Sequence, residues 1–100
     1  MRVFLTGASG FVGSRLVPRL GSAGHLTIAA GDELDVRDLE SVEASIDAAQ
    51  PDAVIHLAAQ SSVAASWQDP ASCFRVNFLG TQNLLLAVER QAPTARVLLV

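Results

Sequence analysis

Three glycines at intervals of three, Gly7, Gly10 and Gly13, lie in the run Thr6-Gly7-Ala8-Ser9-Gly10-Phe11-Val12-Gly13. They follow an apolar stretch, Val3-Phe4-Leu5, and precede a segment in which Leu16, Val17 and Leu20 recur at helical spacing. A buried strand that turns sharply at Gly7, runs close to a ligand at Gly10 and lets a helix press inward at Gly13 is a cradle for phosphate. The unpaired N–H groups and the positive dipole end of that helix would face a diphosphate. Other chemistry is scarce. All seven basic residues are arginine, and the chain contains neither lysine nor tyrosine. A mechanism that needs either residue is incomplete within these 100 positions. Cys73 is the only cysteine, so it forms no internal disulfide and reads as a small buried apolar residue in a reducing cytoplasm. No metal-ligand spacing is present. His25 reads as a surface residue and His56 as an ordinary strand position.

The elements that must position the cradle follow in order. Residues 2–6 form a strand whose unbroken apolar character suits a parallel sheet covered on both faces. A helix from Gly10 to about Leu20 ends at Gly21-Ser22-Ala23-Gly24. His25 to Ala30 is a second strand, with Gly31-Asp32 as its turn. Leu39, Val42, Ile46 and Ala49 mark a second helix, with Asp38 as N-cap and Gln50-Pro51 as its stop. Ala53 to Ala59 is a third buried strand that runs into a loop of small residues. Asp69-Pro70 starts a long helix to about Gln91, and Arg96 to Val100 opens a fourth strand. This alternation predicts an α/β fold, an open doubly wound parallel sheet of Rossmann type, of which the chain holds the amino-terminal half. Its ligand crevice lies at the carboxyl ends of the strands. The loops after residues 6, 30, 59 and 100 therefore converge on one cleft.

Composition narrows the partners. One hundred residues, half of them apolar, suit a single small domain or part of a larger one. A net charge of −3 without a basic stripe argues against nucleic acid and anionic membranes. No apolar run approaches the roughly 20 residues of a membrane span, and the chain opens on a strand instead of a signal peptide. The helix from 70 to 91 carries Phe74, Phe78, Leu84, Leu85, Leu86 and Val88 on more than one face, which predicts a partner helix as well as a sheet.

Four stretches together carry a resemblance. Thr6 to Gly13, Asp52-Ala53-Val54-Ile55-His56-Leu57-Ala58-Ala59-Gln60-Ser61, Asp69-Pro70 and Val76-Asn77-Phe78-Leu79-Gly80-Thr81-Gln82-Asn83-Leu84-Leu85 resemble the amino-terminal half of an extended short-chain dehydrogenase/reductase, of the NAD-dependent epimerase/dehydratase type. The glycine spacing differs from the standard Gly-x-Gly-x-x-Gly fingerprint, so the turn by itself is weak evidence. The family contains nucleotide-sugar epimerases, 4,6-dehydratases and 4-ketoreductases. The compact link from the second strand to Asp35 is similar to that of the 4-keto-6-deoxy-sugar reductases of the GDP-mannose and dTDP-rhamnose routes. Gln60-Ser61-Ser62-Val63 resembles the GDP-mannose 4,6-dehydratase loop, with Ser62 where that enzyme has histidine.

The resemblance implies a cofactor, NAD(P), and a nucleotide-sugar substrate. It places the backbone of Gly7, Gly10, Phe11, Val12 and Gly13 on the diphosphate, Asp35 and Val36 at the adenine, and Leu57, Ala58 and Ala59 at the nicotinamide-side ribose. Gln60, Ser61 and Ser62 match positions on the substrate side, and Asn77 matches an asparagine that supports the active site from behind. An acid at the end of the second strand favours NAD. By register that position is Gly31, with Asp32 one step on, so NAD and NADP both stay open, with a lean to NADP. The family's catalytic Ser/Thr and Tyr-x-x-x-Lys are expected after Val100, together with the rest of the domain and the substrate domain. The chain is then read as an amino-terminal fragment of a cytoplasmic oxidoreductase that forms a homodimer through the helix near residues 70–91. The alternative is a non-catalytic NAD(P)-binding sensor or interaction module.

Overall fold

The computed structural model describes residues 1–30, 34–57 and 68–100. Four strands, β1 (Arg2–Thr6), β2 (Leu26–Ala30), β3 (Ala53–His56) and β4 (Arg96–Leu99), form one sheet in the order β2-β1-β3-β4, every neighbouring pair parallel. The chain passes from β1 to β2 on one side and then crosses back over β1 to place β3 on the other. The gap between β1 and β3 is therefore the point at which the winding reverses, where open α/β sheets bind ligands. Parallel pairing requires crossover segments, and helices supply them: α1 (Phe11–Ser22), α2 (Leu39–Ala49), and the helical stretch before β4.

Side chains alternate across β1. Phe4 and Thr6 share a face with Val54 and His56, their register partners on β3. Phe4 and Val54 join Val42 and Ile46 of α2 and Leu84, Ala87 and Val88 farther along in one buried cluster. Phe4, Ile46 and Leu84 have at most 2% of their surface exposed, so each contributes roughly 1.5–3 kcal/mol through burial. Val3 and Leu5 are buried on the other face, the side left for α1.

The ends of α2 explain the position of β1. Gln50 caps the helix in the left-handed region at φ 42°, and its side-chain amide donates to the Asp47 and Gln91 carbonyls. The Arg2 guanidinium donates twice to the Ala49 carbonyl, at 2.9 and 2.6 Å. A cation at a helix carboxyl end is the favourable arrangement.

Several expected boundaries shift. The second strand begins at Leu26, because His25 still donates its N–H to the Leu20 carbonyl in the closing turn of α1. Gly24, at φ 89°, is the left-handed residue of that turn. Asp38 holds the N-cap position of α2, but its carboxylate accepts the Ser41 hydroxyl proton instead of a backbone N–H. The third strand stops at His56; Ala58 and Ala59 lie outside the described residues. The helix expected from Pro70 to Gln91 keeps those ends but is not α-helical throughout. It is α3 (Pro70–Phe74), a π-helical turn (Arg75–Leu79), then α4 (Gly80–Gln91). Asp69 caps its start by accepting the Ser72 N–H at 3.0 Å.

Candidate functional site

Thr6 pairs in register with Ala30 on one side and His56 on the other, and His56 pairs with Leu99. The four strands thus end in one row, and everything that leaves them leaves from one edge. The β1–α1 turn occupies the middle of that edge. Gly7 adopts φ 70°, which an L side chain rarely tolerates. Its carbonyl then accepts the Gly10 N–H at 3.1 Å, and the Ala8 N–H reaches the Ala30 carbonyl at 3.5 Å. Gly13, in the first turn of α1, packs directly on this turn. A Cβ there would lie 2.2 Å from the Gly7 carbonyl oxygen. Sequence spacing sets Gly13 against the sheet; the tight contact is with the turn itself.

Gly10 behaves differently. A Cβ built on it meets only the Gly7 oxygen, at an ordinary 3.4 Å. Nothing among the described residues requires glycine there, and its absence of a side chain leaves the backbone bare on the open side of the turn. Gly10 is also the N-cap of α1 and supplies no capping side chain, and no acidic residue lies in the first turn. The helix itself has no carbonyls for the N–H groups of Phe11, Val12 and Gly13. Arg15 adds positive charge nearby: its guanidinium lies 3.8 Å from the centre of the exposed Phe11 ring and donates to the Phe11 carbonyl. A helix start without a side-chain cap from Gly10, with a nearby guanidinium and no acid in its first turn, suits an anion.

Below the turn lies a buried polar pair. Thr6 Oγ1 is 2.7 Å from His56 Nδ1 and accepts the Leu57 N–H at 3.0 Å. It ties the end of β3 to the end of β1 and sets where the chain departs at Leu57. His56 is 2% exposed, and burial lowers its pKa below the ordinary imidazole value. Its Nε2 has no hydrogen-bond partner among the described residues. Sequence reasoning gave neither residue a part. The signal that would have found them is positional: two polar side chains at the last positions of two adjacent apolar strands.

Asp35 and Val36 lie in the turn that leads into α2. Both Asp35 carboxylate oxygens accept from the Arg37 guanidinium, at 3.0 and 3.1 Å. That hydrogen bonding holds the Asp35 pKa below the usual carboxylate value. Val36 is buried, and its carbonyl accepts the Asn83 side-chain N–H at 3.0 Å. Asn77 lies in the π-helical turn, donates to Cys73 Sγ at 3.4 Å, and accepts the Thr81 hydroxyl proton at its carbonyl. Cys73 is half-buried, not fully buried as its residue type suggested. Asp32, Ala58, Ala59, Gln60, Ser61 and Ser62 lie outside the described residues. Among the described residues, no three His, Cys, Asp or Glu side chains come together to hold a metal. No described helix is long and apolar enough to cross a membrane.

A profile of the NAD dependent epimerase/dehydratase family matches residues 3–100. The chain belongs to this family. Among curated relatives, GDP-6-deoxy-D-mannose reductase of Pseudomonas aeruginosa is 41% identical over 91 residues, which cover 88% of this chain and 29% of the relative. Among solved structures, UDP-glucose 4-epimerase of Thermus thermophilus, in complex with NAD, is 36% identical with a TM-score of 0.84, over 91% of this chain and 34% of that one. dTDP-4-dehydrorhamnose reductase of Bacillus anthracis, in complex with NADP, superposes with a TM-score of 0.87 over 96% of this chain and 34% of that one. At 24% identity the latter likeness speaks for the fold alone. The chain spans about a third of the length of these family members. The Rossmann-type parallel sheet expected from the alternation of elements is the fold they share.

Proposed function

We propose that this chain is the cofactor-binding amino-terminal part of an NAD(P)-dependent nucleotide-sugar oxidoreductase, of the 4-keto-6-deoxy-sugar reductase, epimerase or 4,6-dehydratase type. One observation carries the reading: a turn whose Gly10 meets no steric demand for glycine among the described residues, at a start of α1 without a side-chain cap, beside the switch between β1 and β3. A nicotinamide dinucleotide, when bound, supplies a carrier for hydride. The residues of this chain bind and orient it. The backbone of Gly7, Gly10, Phe11, Val12 and Gly13 takes the diphosphate, Asp35 and Val36 the adenine end, and Leu57, with Ala58 and Ala59 beyond it, the nicotinamide-side ribose. Gln60, Ser61 and Ser62 are assigned to the substrate side, and Asn77 to the support of the active site from behind. Thr6 and His56 hold the floor from which Leu57 departs. The family match and the relatives' names support this assignment, and the 41% identity to a GDP-6-deoxy-D-mannose reductase favours the reductase branch.

The same reading includes a homodimer through residues 70–91. In support, Phe74, Phe78 and Leu85 stand exposed along that helix beside a recess of about 390 Å³ between Asn77 and Glu89. The alternative is an NAD(P)-binding module without the chemistry. Fluorescence titration with NADH and NADPH tests the binding site that both share and measures the preference, for which the sequence leans to NADP. Saturable binding, lost in Gly10→Val, is expected; equal affinity in the variant refutes the cradle. Turnover of NADPH with a nucleotide-linked 4-keto sugar by the whole protein separates enzyme from module.

A further inference from the structure

We propose that Gly80 and Asn83 are positioning residues for the adenosine end of the dinucleotide, acting through Val36; this rests on the NAD(P)-binding reading above. The turn from Asp35 to Asp38 is closed on itself, by the Asp38 N–H on the Asp35 carbonyl at 3.0 Å and by the bonds from Arg37 to the Asp35 carboxylate. Asp35 and Arg37 are exposed, so neither fixes the turn to the body of the fold. Val36, between them, is 5% exposed. Two residues of α4 hold it. A Cβ on Gly80 would lie 2.6 Å from Val36 Cγ2 and 3.2 Å from Val36 Cβ, so the side chain fills a notch that exists because residue 80 is glycine. Asn83, three residues on and on the same helix face, donates to the Val36 carbonyl at 3.0 Å. A valine has little rotamer freedom with which to retreat. A methyl at position 80 therefore moves the turn as a unit, carrying the Asp35 carboxylate with it.

Calorimetric titration of the whole protein with NADH, AMP and nicotinamide mononucleotide tests this. Gly80→Ala and Asn83→Ala are each expected to weaken NADH and AMP about tenfold and to leave the mononucleotide, which has no adenine, within about twofold, as loss of one well-made contact implies. In a Val36→Ala background, which removes Cγ2, adding Gly80→Ala is expected to weaken AMP less than about threefold. Asn83→Ala inserts no atom, so it keeps the question open to refutation where Gly80→Ala fails to fold. Unchanged AMP affinity in both single variants overturns the proposal. Equal losses for AMP and the mononucleotide overturn it too, because they report a general loss of structure. A parent protein that binds none of the three ligands removes the NAD(P)-binding reading itself, a result distinct from either.

Discussion

Gly13→Ala is expected to destabilise the fold, whereas Gly10→Ala is expected to spare it and weaken the ligand. At position 13 the added methyl lies 2.2 Å from the Gly7 oxygen, 2.7 Å from Ala8 Cα and 2.8 Å from the Ala8 oxygen, all main-chain atoms. Carbon and oxygen ordinarily approach to about 3.3–3.6 Å, so the turn and α1 must separate by about 1 Å. The turn cannot yield locally, because Gly7 is held in the left-handed region and its carbonyl is bonded to the Gly10 N–H. Overpacking of this kind costs about 1–3 kcal/mol or more. The gain in helix propensity from Gly to Ala returns at most about 1 kcal/mol; because all three contacts are to main-chain atoms the cost lies at the upper end of that range, leaving a net loss of about 2 kcal/mol. For a unit of about 100 residues that corresponds to a thermal midpoint about 8–16 °C lower. At position 10 the methyl meets one atom at 3.4 Å, in a backbone conformation, φ −75° and ψ −178°, open to any residue. Stability within about 0.5 kcal/mol of the parent is expected, as for an unstrained surface change. NADH affinity is expected to fall about tenfold or more, because in the proposed binding mode the methyl would project toward the diphosphate. Thermal melts followed by circular dichroism, with NADH titrations on the same samples, read both quantities. A Gly13→Ala midpoint within about 3 °C of the parent would refute the steric argument, since even 1 kcal/mol shifts the midpoint of such a domain by more than that. An equal loss of stability in Gly10→Ala would refute the division of labour between the two glycines.

Arg2→Ala removes both guanidinium bonds to the Ala49 carbonyl and is expected to cost about 1–2 kcal/mol; a chemical denaturation midpoint matching the parent's would show that water replaces them fully. His56 gives a pH dependence. Burial lowers its folded-state pKa, so above the unfolded value of about 6.5 the group is neutral in both states and does not affect stability. As pH falls below that value the unfolded chain takes up a proton that the fold resists, and stability declines by at most about 1.4 kcal/mol per pH unit until the lowered folded value is reached. Urea midpoints between about pH 7.5 and 5 in the parent and in His56→Gln check this, and a slope that persists unchanged in the variant would assign it to other groups.

Much of the fold was legible because the strands are continuous apolar runs and the helices repeat at 3.6 residues. Val3-Phe4-Leu5 and Val42, Ile46, Ala49 left little choice of element. The tight strand-to-helix turn was legible for a related reason: Gly7 and Gly13 stand where a left-handed residue and a close backbone approach are needed. What escaped the sequence depends on contacts between distant segments. The match of Gly80 to Val36 and the bond from Asn83 to the Val36 carbonyl join residues more than forty positions apart, and no local pattern announces them. The pairing of Thr6 with His56 exists only once β1 and β3 are in register. The π-helical turn was invisible for another reason. Its residues, Arg75 to Leu79, have ordinary helix propensities, and nothing in their types marks a wider turn.

That turn gives the helix two independent rotational settings. Each residue of an α-helix advances the side chains by about 100° around the axis and 1.5 Å along it. The segment Pro70–Phe74 and the segment carrying Leu84, Ala87 and Val88 are therefore out of phase across residues 75–79. Removing one residue between Arg75 and Leu79 would restore a single phase, with α4 still locked onto α2 and Pro70–Phe74 swung to a new azimuth. A one-residue change of length is thus enough to redirect the outward surface of this helix while its buried side stays in place, a kind of variation that substitution alone cannot produce.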